Sequence, residues 1–173
     1  FMSSKLGLPT DEIDQWCRTL EMGCASLRNP ETKHFNAINL RSGEHTGHLT
    51  SASFLCWYAG MGDKSMLDLL KNTLQDTLYP IPSLDKNSSK FDGLRYWRGP
   101  TWPILNALIG LGLSDMGHEK EAETIRSRTR ELISRHGFAE YFDPITGIPG
   151  GGKAFSWTAA VWLAWASPSV GAK

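Results

Sequence analysis

Residues 103–135 decide the fold, and they read PILNALIGLGLSDMGHEKEAETIRSRTRELISR. The first part begins with a proline suited to a first helical turn, is apolar all round, and is followed by Gly117. The second part, from Glu119 to Arg135, is charged, with apolar residues only at helical spacing. We therefore predict a fully buried helix followed by a helix with one buried face. The residues expected on that face are Ala122, Ile125, Thr129, Leu132 and Ile133.

The same alternation extends along the rest of the chain. Amphipathic helices are predicted after Thr10 and after Asp63, which are both suited to capping. Helices apolar almost all round are predicted from Thr50 to Ala59 and from about Phe155 to Ala166, and a long loop from Glu31 to Leu49. The faces expected to be buried are Ile13, Trp16, Cys17, Leu20, Cys24 and Leu27 on the first helix, and Leu67, Leu70, Leu74 and Leu78 on the third.

This pairing of inner and outer helices indicates an all-α fold. In a double-layered toroid of helical hairpins, inner helices are buried on both sides and outer helices on one. Three predicted pairs are about half of a six-pair ring, so we expect residues 1–173 to supply about half of an (α/α)6 barrel. A plain helical bundle or an α-solenoid is an alternative, although no fixed repeat supports a solenoid.

Composition limits the classes of partner. The 173 residues carry no net charge and their basic residues are scattered, which argues against nucleic acid or an anionic membrane as a partner. The longest apolar run, residues 158–166, is far shorter than the roughly 20 residues that span a bilayer. Three cysteines within helical patterns and the absence of a leader pattern predict reduced, buried thiols in a cytoplasmic protein.

Tryptophan is unusually frequent, with seven residues. We expect core packing for Trp16, Trp57, Trp162 and Trp165. The other three lie beside predicted loops, where a cleft could expose them: Trp97, Trp102 and Trp157. For Tyr96, Trp97 and Trp102, core packing and ligand stacking are equally compatible with composition.

Glu140 is the strongest candidate for chemistry, because it lies between Phe138 and the pair Tyr141–Phe142. A carboxylate among aromatic residues can be oriented by the protein, as general acid/base chemistry on a sugar requires. The alternative is a glutamate that caps a helix end. Asp143 fits a structural turn, since Asp-Pro-x-x-Gly is turn chemistry.

Two other motifs are weaker. The segment from Gly147 to Lys153 matches most of a phosphate-binding loop, but Ala154 replaces the hydroxyl residue that would hold Mg²⁺. Its glycines fit better with a close approach of the backbone to a ligand or a neighbouring element. His45 and His48 have no third ligand at a suitable spacing, so we expect no metal site.

Three segments taken in order resemble glycoside hydrolase family 63: Tyr96-Trp-Arg-Gly-Pro-x-Trp102, Gly137-Phe-x-Glu-Tyr-Phe-Asp-Pro-x-Thr-Gly147 and Gly151-Gly-Lys-x-Phe-Ser-Trp-Thr-Ala159. The resemblance implies an (α/α)6 barrel, an inverting mechanism without metal or cofactor, and a small α-glucoside or α-mannoside as substrate. Glucosylglycerate and mannosylglycerate are the leading candidates. By motif, Glu140 would be the general base. The substrate-binding residues would be Tyr96, Trp97, Gly99, Trp102 and Lys153.

The resemblance also predicts a missing partner. The general acid of the family is an aspartate in the first half of the barrel, and no segment here matches its motif. We therefore expect this chain to be the C-terminal half of the ring. Alone it would be inactive and would leave apolar edges open. Its partner would be the N-terminal half, in the same polypeptide or a second chain. The alternative function is a non-catalytic helical module that binds carbohydrate or another protein.

Overall fold

The computed structural model describes residues 2–168 and is mostly helical. The helices are α1 (Met2–Lys5), α2 (Asp11–Ser26), a 3₁₀ helix (Ser51–Cys56), α3 (Lys64–Asp76), α4 (Pro103–Asp115), α5 (Glu119–His136) and α6 (Ser156–Val161), which continues as a π-helical turn (Trp162–Ala166). The strands β1 (Tyr141–Phe142) and β2 (Pro149–Gly150) form an antiparallel hairpin. No helix in this described part of the chain is long and apolar enough to cross a membrane.

The α4–α5 pair confirms the predicted boundaries. Pro103 occupies the first turn of α4, and all five residues predicted for the inner face of α5 are buried. Helix α4 also packs against α6 and the 3₁₀ helix. A Cβ atom on Gly112 would lie 2.4 Å from the backbone of Trp57, so this contact requires a glycine.

Helix α3 begins and packs as predicted, except at its end. The Asp63 carboxylate accepts a hydrogen bond of 3.1 Å from the Met66 amide and caps the helix. Leu70 and Leu74 are buried on its inner face. Leu78 was expected on that face but lies beyond the end of the helix and is 56% exposed.

Helix α2 forms as predicted, but its apolar face is not buried. None of its residues is buried, and Trp16 and Leu20 are 58% and 68% exposed. The expectation of core packing for Trp16 is therefore wrong in this chain, as is the expectation that Cys17 is a buried thiol. The physical reason is that no described element covers this face.

The helices predicted to be apolar all round are also open on one side. The second is shorter than expected, since only Ser51–Cys56 is helical, although Phe54 and Trp57 are fully buried. Between α4 and α6 an apolar groove of about 390 Å³ is lined by side chains that include Leu111, Trp157 and Trp165. Leu111 and Trp157 are 42% and 55% exposed. These helices are therefore buried on one side only, with an apolar edge on the other.

Short extended segments that pair with one another and with β1 connect the helices. Thr101 forms one backbone bridge to Pro82 and another to Phe142. The side chain of Phe142 is fully buried with Tyr79, Leu132 and Ala139 in a small second core. This layer connects the segment before α4 with the segment after α5, and both carry candidate site residues.

Candidate active site

Glu140 lies between α5 and β1, and both of its carboxylate oxygens accept hydrogen bonds. Oε1 accepts from the Tyr96 hydroxyl at 3.0 Å, and Oε2 accepts from the Gly152 amide at 3.3 Å. The Glu140 amide in turn donates to the Gly152 carbonyl at 2.9 Å. The side chain is half-buried, so the carboxylate is fixed in orientation while one side stays accessible.

The glycines of the Gly147–Lys153 segment permit this arrangement. A Cβ atom on Gly151 would lie 2.4 Å from Oε2 of Glu140, and the φ of Gly151 is +70°. A Cβ atom on Gly150 would lie 2.2 Å from the ring of Tyr141. The segment thus approaches Glu140 and Tyr141 closely, and its backbone donates a hydrogen bond to the Glu140 carboxylate.

Four aromatic rings pack beside Glu140, and we call Tyr96, Trp97, Trp102 and Tyr141 the aromatic wall. The indoles of Trp97 and Trp102 are stacked, with centroids 4.3 Å apart and planes inclined by 5°. The Tyr96 ring meets the edges or faces of the other three at centroid distances of 5.1 to 5.9 Å. Aromatic packing of this kind holds the rings in a defined geometry.

The members of the wall differ in exposure. Tyr96 and Trp97 are 49% and 50% exposed, whereas Trp102 is 2% exposed and lies behind Trp97. The indole nitrogen of Trp102 donates to the Tyr96 carbonyl at 3.1 Å. Trp97 and Tyr96 therefore present the accessible surface, and Trp102 supports them from behind.

Tyr96 has an unusual backbone and an altered acidity. Its φ of +39° is rare for a residue with a side chain. The hydrogen bond to Glu140 raises the pKa of the phenol, since ionisation would remove the donated proton and place an anion beside the carboxylate. The phenol therefore stays a donor at neutral pH.

Gly99 and Lys153 lie on the loops around the wall. Gly99 is buried and its amide donates to the Ser83 hydroxyl at 3.0 Å. A Cβ atom on Gly99 would lie 2.3 Å from the Asp92 carbonyl, so the turn that carries Trp97 needs a glycine. Lys153 is exposed on the loop that follows Gly152.

The start of α6 supports the residue before Glu140, a contact that the sequence analysis missed. The Thr158 hydroxyl, 1% exposed, donates to the Ala139 carbonyl at 2.6 Å. The Phe155 amide donates to the Phe138 carbonyl at 2.8 Å. A buried threonine in an apolar helix was the available signal, because buried hydroxyls need a partner.

The remaining candidate residues are Asp143, His45 and His48. The Asp143 carboxylate accepts from the amides of Ile145 and Thr146 at 2.7 and 3.1 Å, which confirms its turn role. His45 and His48 are half-buried in the loop before the 3₁₀ helix. Within residues 2–168, no group of three histidine, cysteine or acidic side chains could hold a metal ion.

Comparison with known proteins identifies the family. Residues 2–158 match the model of a protein family described as the mannosylglycerate hydrolase MGH1-like glycoside hydrolase domain. The chain belongs to this family. The match confirms the resemblance to glycoside hydrolase family 63 that the Tyr96, Glu140 and Gly151 motifs predicted.

Individual known hydrolases are similar to different shares of the chain. Mannosylglycerate hydrolase MGH1 of Selaginella moellendorffii is 34% identical over 171 residues, which are 95% of this chain and 35% of the relative. Glucosylglycerate hydrolase of Mycolicibacterium hassiacum is 40% identical over 85 residues, which are 49% of this chain and 19% of the relative. The chain thus spans about a third of the length of the mannosylglycerate hydrolases that it matches.

A solved structure from the same family shows the same architecture. The glycoside hydrolase family 63 mannosylglycerate hydrolase from Thermus thermophilus, in complex with Tris and D-glycerate, superposes with a TM-score of 0.86 at 33% identity. The superposition covers 94% of this chain and 41% of that structure. The mostly helical fold of this chain is therefore that of a part of a family 63 hydrolase.

Proposed function

We propose that this chain supplies the general base, Glu140, of an inverting glycoside hydrolase that acts on a small α-mannoside or α-glucoside. Mannosylglycerate and glucosylglycerate are the leading candidate substrates, because relatives at 34% and 40% identity bear those names. The observation that carries the proposal is the geometry of Glu140. Its two oxygens accept hydrogen bonds from Tyr96 and Gly152, and the Tyr96 ring packs against the exposed ring of Trp97.

The hydrogen bonds at Glu140 leave acceptor sites of the carboxylate free for a water molecule. A carboxylate offers about four acceptor sites, and the two protein donors use one on each oxygen. A free site can accept a proton from water as the water oxygen attacks the anomeric carbon. An acid on the opposite face protonates the departing oxygen, and the two carboxyl groups of inverting enzymes are about 6.5–9.5 Å apart.

The aromatic wall would orient the sugar. Trp97 presents an exposed indole face backed by Trp102, and Tyr96 lies between this face and the base. Apolar faces of a sugar ring can pack on such a surface while water is displaced, which strengthens the electrostatic interactions at Glu140. Lys153 and the loop at Gly99 would border the same pocket.

We further propose that this chain is the C-terminal portion of one (α/α)6 catalytic domain. The N-terminal half of the ring, in the same polypeptide or a second chain, would supply the general acid. The length of the relatives supports this arrangement, as do the open apolar faces of α2, α4 and α6. The chain alone would then be inactive.

The test is Glu140→Gln in the active hydrolase that contains the rest of the ring. The amide keeps the shape of the side chain but cannot accept the proton, so we expect kcat to fall by about 10²–10⁴-fold. Binding of the sugar, followed by tryptophan fluorescence, should change by less than about threefold. The matched control is Glu131→Gln on the exposed side of α5, which should retain full turnover.

Either of two results would decide against this proposal. Full turnover by Glu140→Gln would remove Glu140 from the role of base. Sugar binding without turnover in the assembled ring would instead favour a non-catalytic carbohydrate-binding module.

A further inference from the structure

Three polar side chains are fully buried next to the segment that carries Glu140. Thr101 precedes α4, Asn106 lies within α4 and Thr129 within α5, and each is 0% exposed. Asn106 is conspicuous because most of its neighbours in α4 are apolar. Buried polar groups in such a position need hydrogen-bond partners, and here they bond to one another.

The hydrogen bonds run in a defined direction. The amide nitrogen of Asn106 donates to the Thr101 hydroxyl at 3.1 Å and to the Thr129 hydroxyl at 3.2 Å. The Thr101 hydroxyl donates to the Pro80 carbonyl, and the Thr129 hydroxyl donates to the Ile125 carbonyl at 2.8 Å. Each hydroxyl thus uses its single donor and accepts one hydrogen bond from Asn106, and the Thr101 hydroxyl also lies 3.5 Å from Oδ1 of Asn106.

The backbone of Thr101 connects this network to the candidate site. Its amide donates to the Phe142 carbonyl at 2.8 Å, and the Phe142 amide donates back to the Thr101 carbonyl at 3.0 Å. Phe142 is two residues after Glu140, and Trp102 of the aromatic wall directly follows Thr101. Thr101 is therefore the point at which the segment with the wall is joined to the segment with the base.

The network also holds a strained segment. Ile81 lies between Pro80 and Pro82, is 0% exposed and has a φ of +51°, which is unfavourable for a β-branched residue. Such a conformation persists only where the surroundings fix it. The hydroxyl of Thr101 fixes the Pro80 carbonyl, and its backbone pairs with Pro82.

We propose that Thr101, Asn106 and Thr129 are positioning residues that set the separation between Glu140 and the aromatic wall. This inference rests on the function proposed above and adds a requirement to it. The three side chains touch neither the Glu140 carboxylate nor an accessible surface, so they act through the Thr101–Phe142 pair. A network in which every donor is used defines one geometry, whereas an apolar contact would tolerate sliding.

The first experiment compares Thr101→Val with Thr101→Ser in the active hydrolase. Valine keeps the shape and removes the hydroxyl, so we expect kcat to fall about 10–100-fold, as for a base displaced by about 1 Å. KM should change by less than about threefold, and serine should restore kcat to within about threefold. Thr129→Val and Thr129→Ser form a second pair that loses a bond further from the site, with a smaller loss expected.

A control separates positioning from stability. Leu70→Ala on α3 removes a fully buried side chain that is outside the network. It should lower the melting temperature at least as much as Thr101→Val, with kcat measured well below both melting temperatures. If Leu70→Ala reduces kcat as strongly as Thr101→Val, the positioning role is refuted.

Hydrogen exchange provides a readout that does not depend on activity. In Thr101→Val, peptides that cover residues 139–144 should exchange faster than in Thr101→Ser, while the centre of α5 stays protected. Unchanged exchange there would overturn the coupling, and a wild-type kcat in Thr101→Val would overturn the positioning role. Full turnover by Glu140→Gln would instead refute the proposed function, and hydrogen exchange would still test the network.

Discussion

Helices α5 and α2 carry the same kind of sequence pattern and end in opposite environments. Both are amphipathic, with apolar residues at helical spacing and charged residues between them. All five residues of the α5 face are buried, and Ile125 and Leu132 are 0% exposed. On α2 no residue is buried, and Trp16 is 58% exposed.

The comparison separates what a periodic pattern determines from what it does not. The spacing of apolar residues determines which face of a helix should be buried, because exposing an apolar face to water costs free energy. It does not show whether the covering element belongs to the same chain. In this chain α4 covers α5, while α2 and the α4–α6 groove lie open. The open faces are where we expect the rest of the ring.

The largest difference between the two helices should appear on truncation of an isoleucine. Ile125→Ala in α5 should lower the free energy of unfolding by about 2–5 kcal/mol, since it leaves a cavity in a closed core. Ile13→Ala in α2 removes the same atoms from a side chain that is 42% exposed and should cost less than about 0.5 kcal/mol. Urea unfolding of the two variants measures both values.

An equal loss in the two variants would show that the face of α2 is covered in solution. The same pair measured in the assembled hydrolase sharpens the test. There the cost of Ile13→Ala should rise, because the rest of the ring would bury this face.

Two glycines extend the comparison to the backbone. Gly151→Ala places a Cβ atom 2.4 Å from Oε2 of Glu140 at a φ of +70°, so we expect about 10–100-fold lower kcat and reduced stability. Gly23→Ala lies in α2, where nothing is within 4 Å, and should stabilise the chain by about 0.5–1 kcal/mol. Kinetics and thermal unfolding of both variants would check this, and a fully active Gly151→Ala would contradict the geometry at Glu140.

Cysteine modification gives the smallest but simplest contrast. Burial raises the pKa of the Cys56 thiol to about 12, so it stays protonated and inaccessible at pH 8. Cys17 on α2 is exposed. Iodoacetamide followed by mass spectrometry should label Cys17 in the native chain and Cys56 only after unfolding. Native labelling of Cys56 at the rate of Cys17 would refute the closed core.

Local sequence signals predicted most of the helices, but they did not predict which residues contact Glu140 in the candidate site. Pro103 and Gly117 fixed the limits of α4, and Asp63 fixed the start of α3, because caps and breakers act within a few residues. Glu140 was selected as a candidate because of its aromatic neighbours. Its bond to Tyr96 joins residues 44 positions apart, and no local pattern encodes such a contact.

The missed contacts share a recognisable signal. Asn106 and Thr158 are polar residues within helices that the sequence already predicted to be apolar all round. A buried polar group requires a partner, so each marked a hydrogen bond even though its partner could not be named. The exposure of Trp16 had no such signal, because the spacing of apolar residues does not show which element covers a helix face.

The central claim is that Glu140 is the base that activates water in an inverting hydrolysis. Its most direct test is Glu140→Ala in the active hydrolase, with and without azide, and with the anomeric configuration of the product followed by NMR. Azide is a nucleophile that needs no base. Without azide we expect almost no turnover, and with azide we expect the α-glycoside to give the β-glycosyl azide. Hydrolysis to the free sugar at the wild-type rate without azide would contradict the claim.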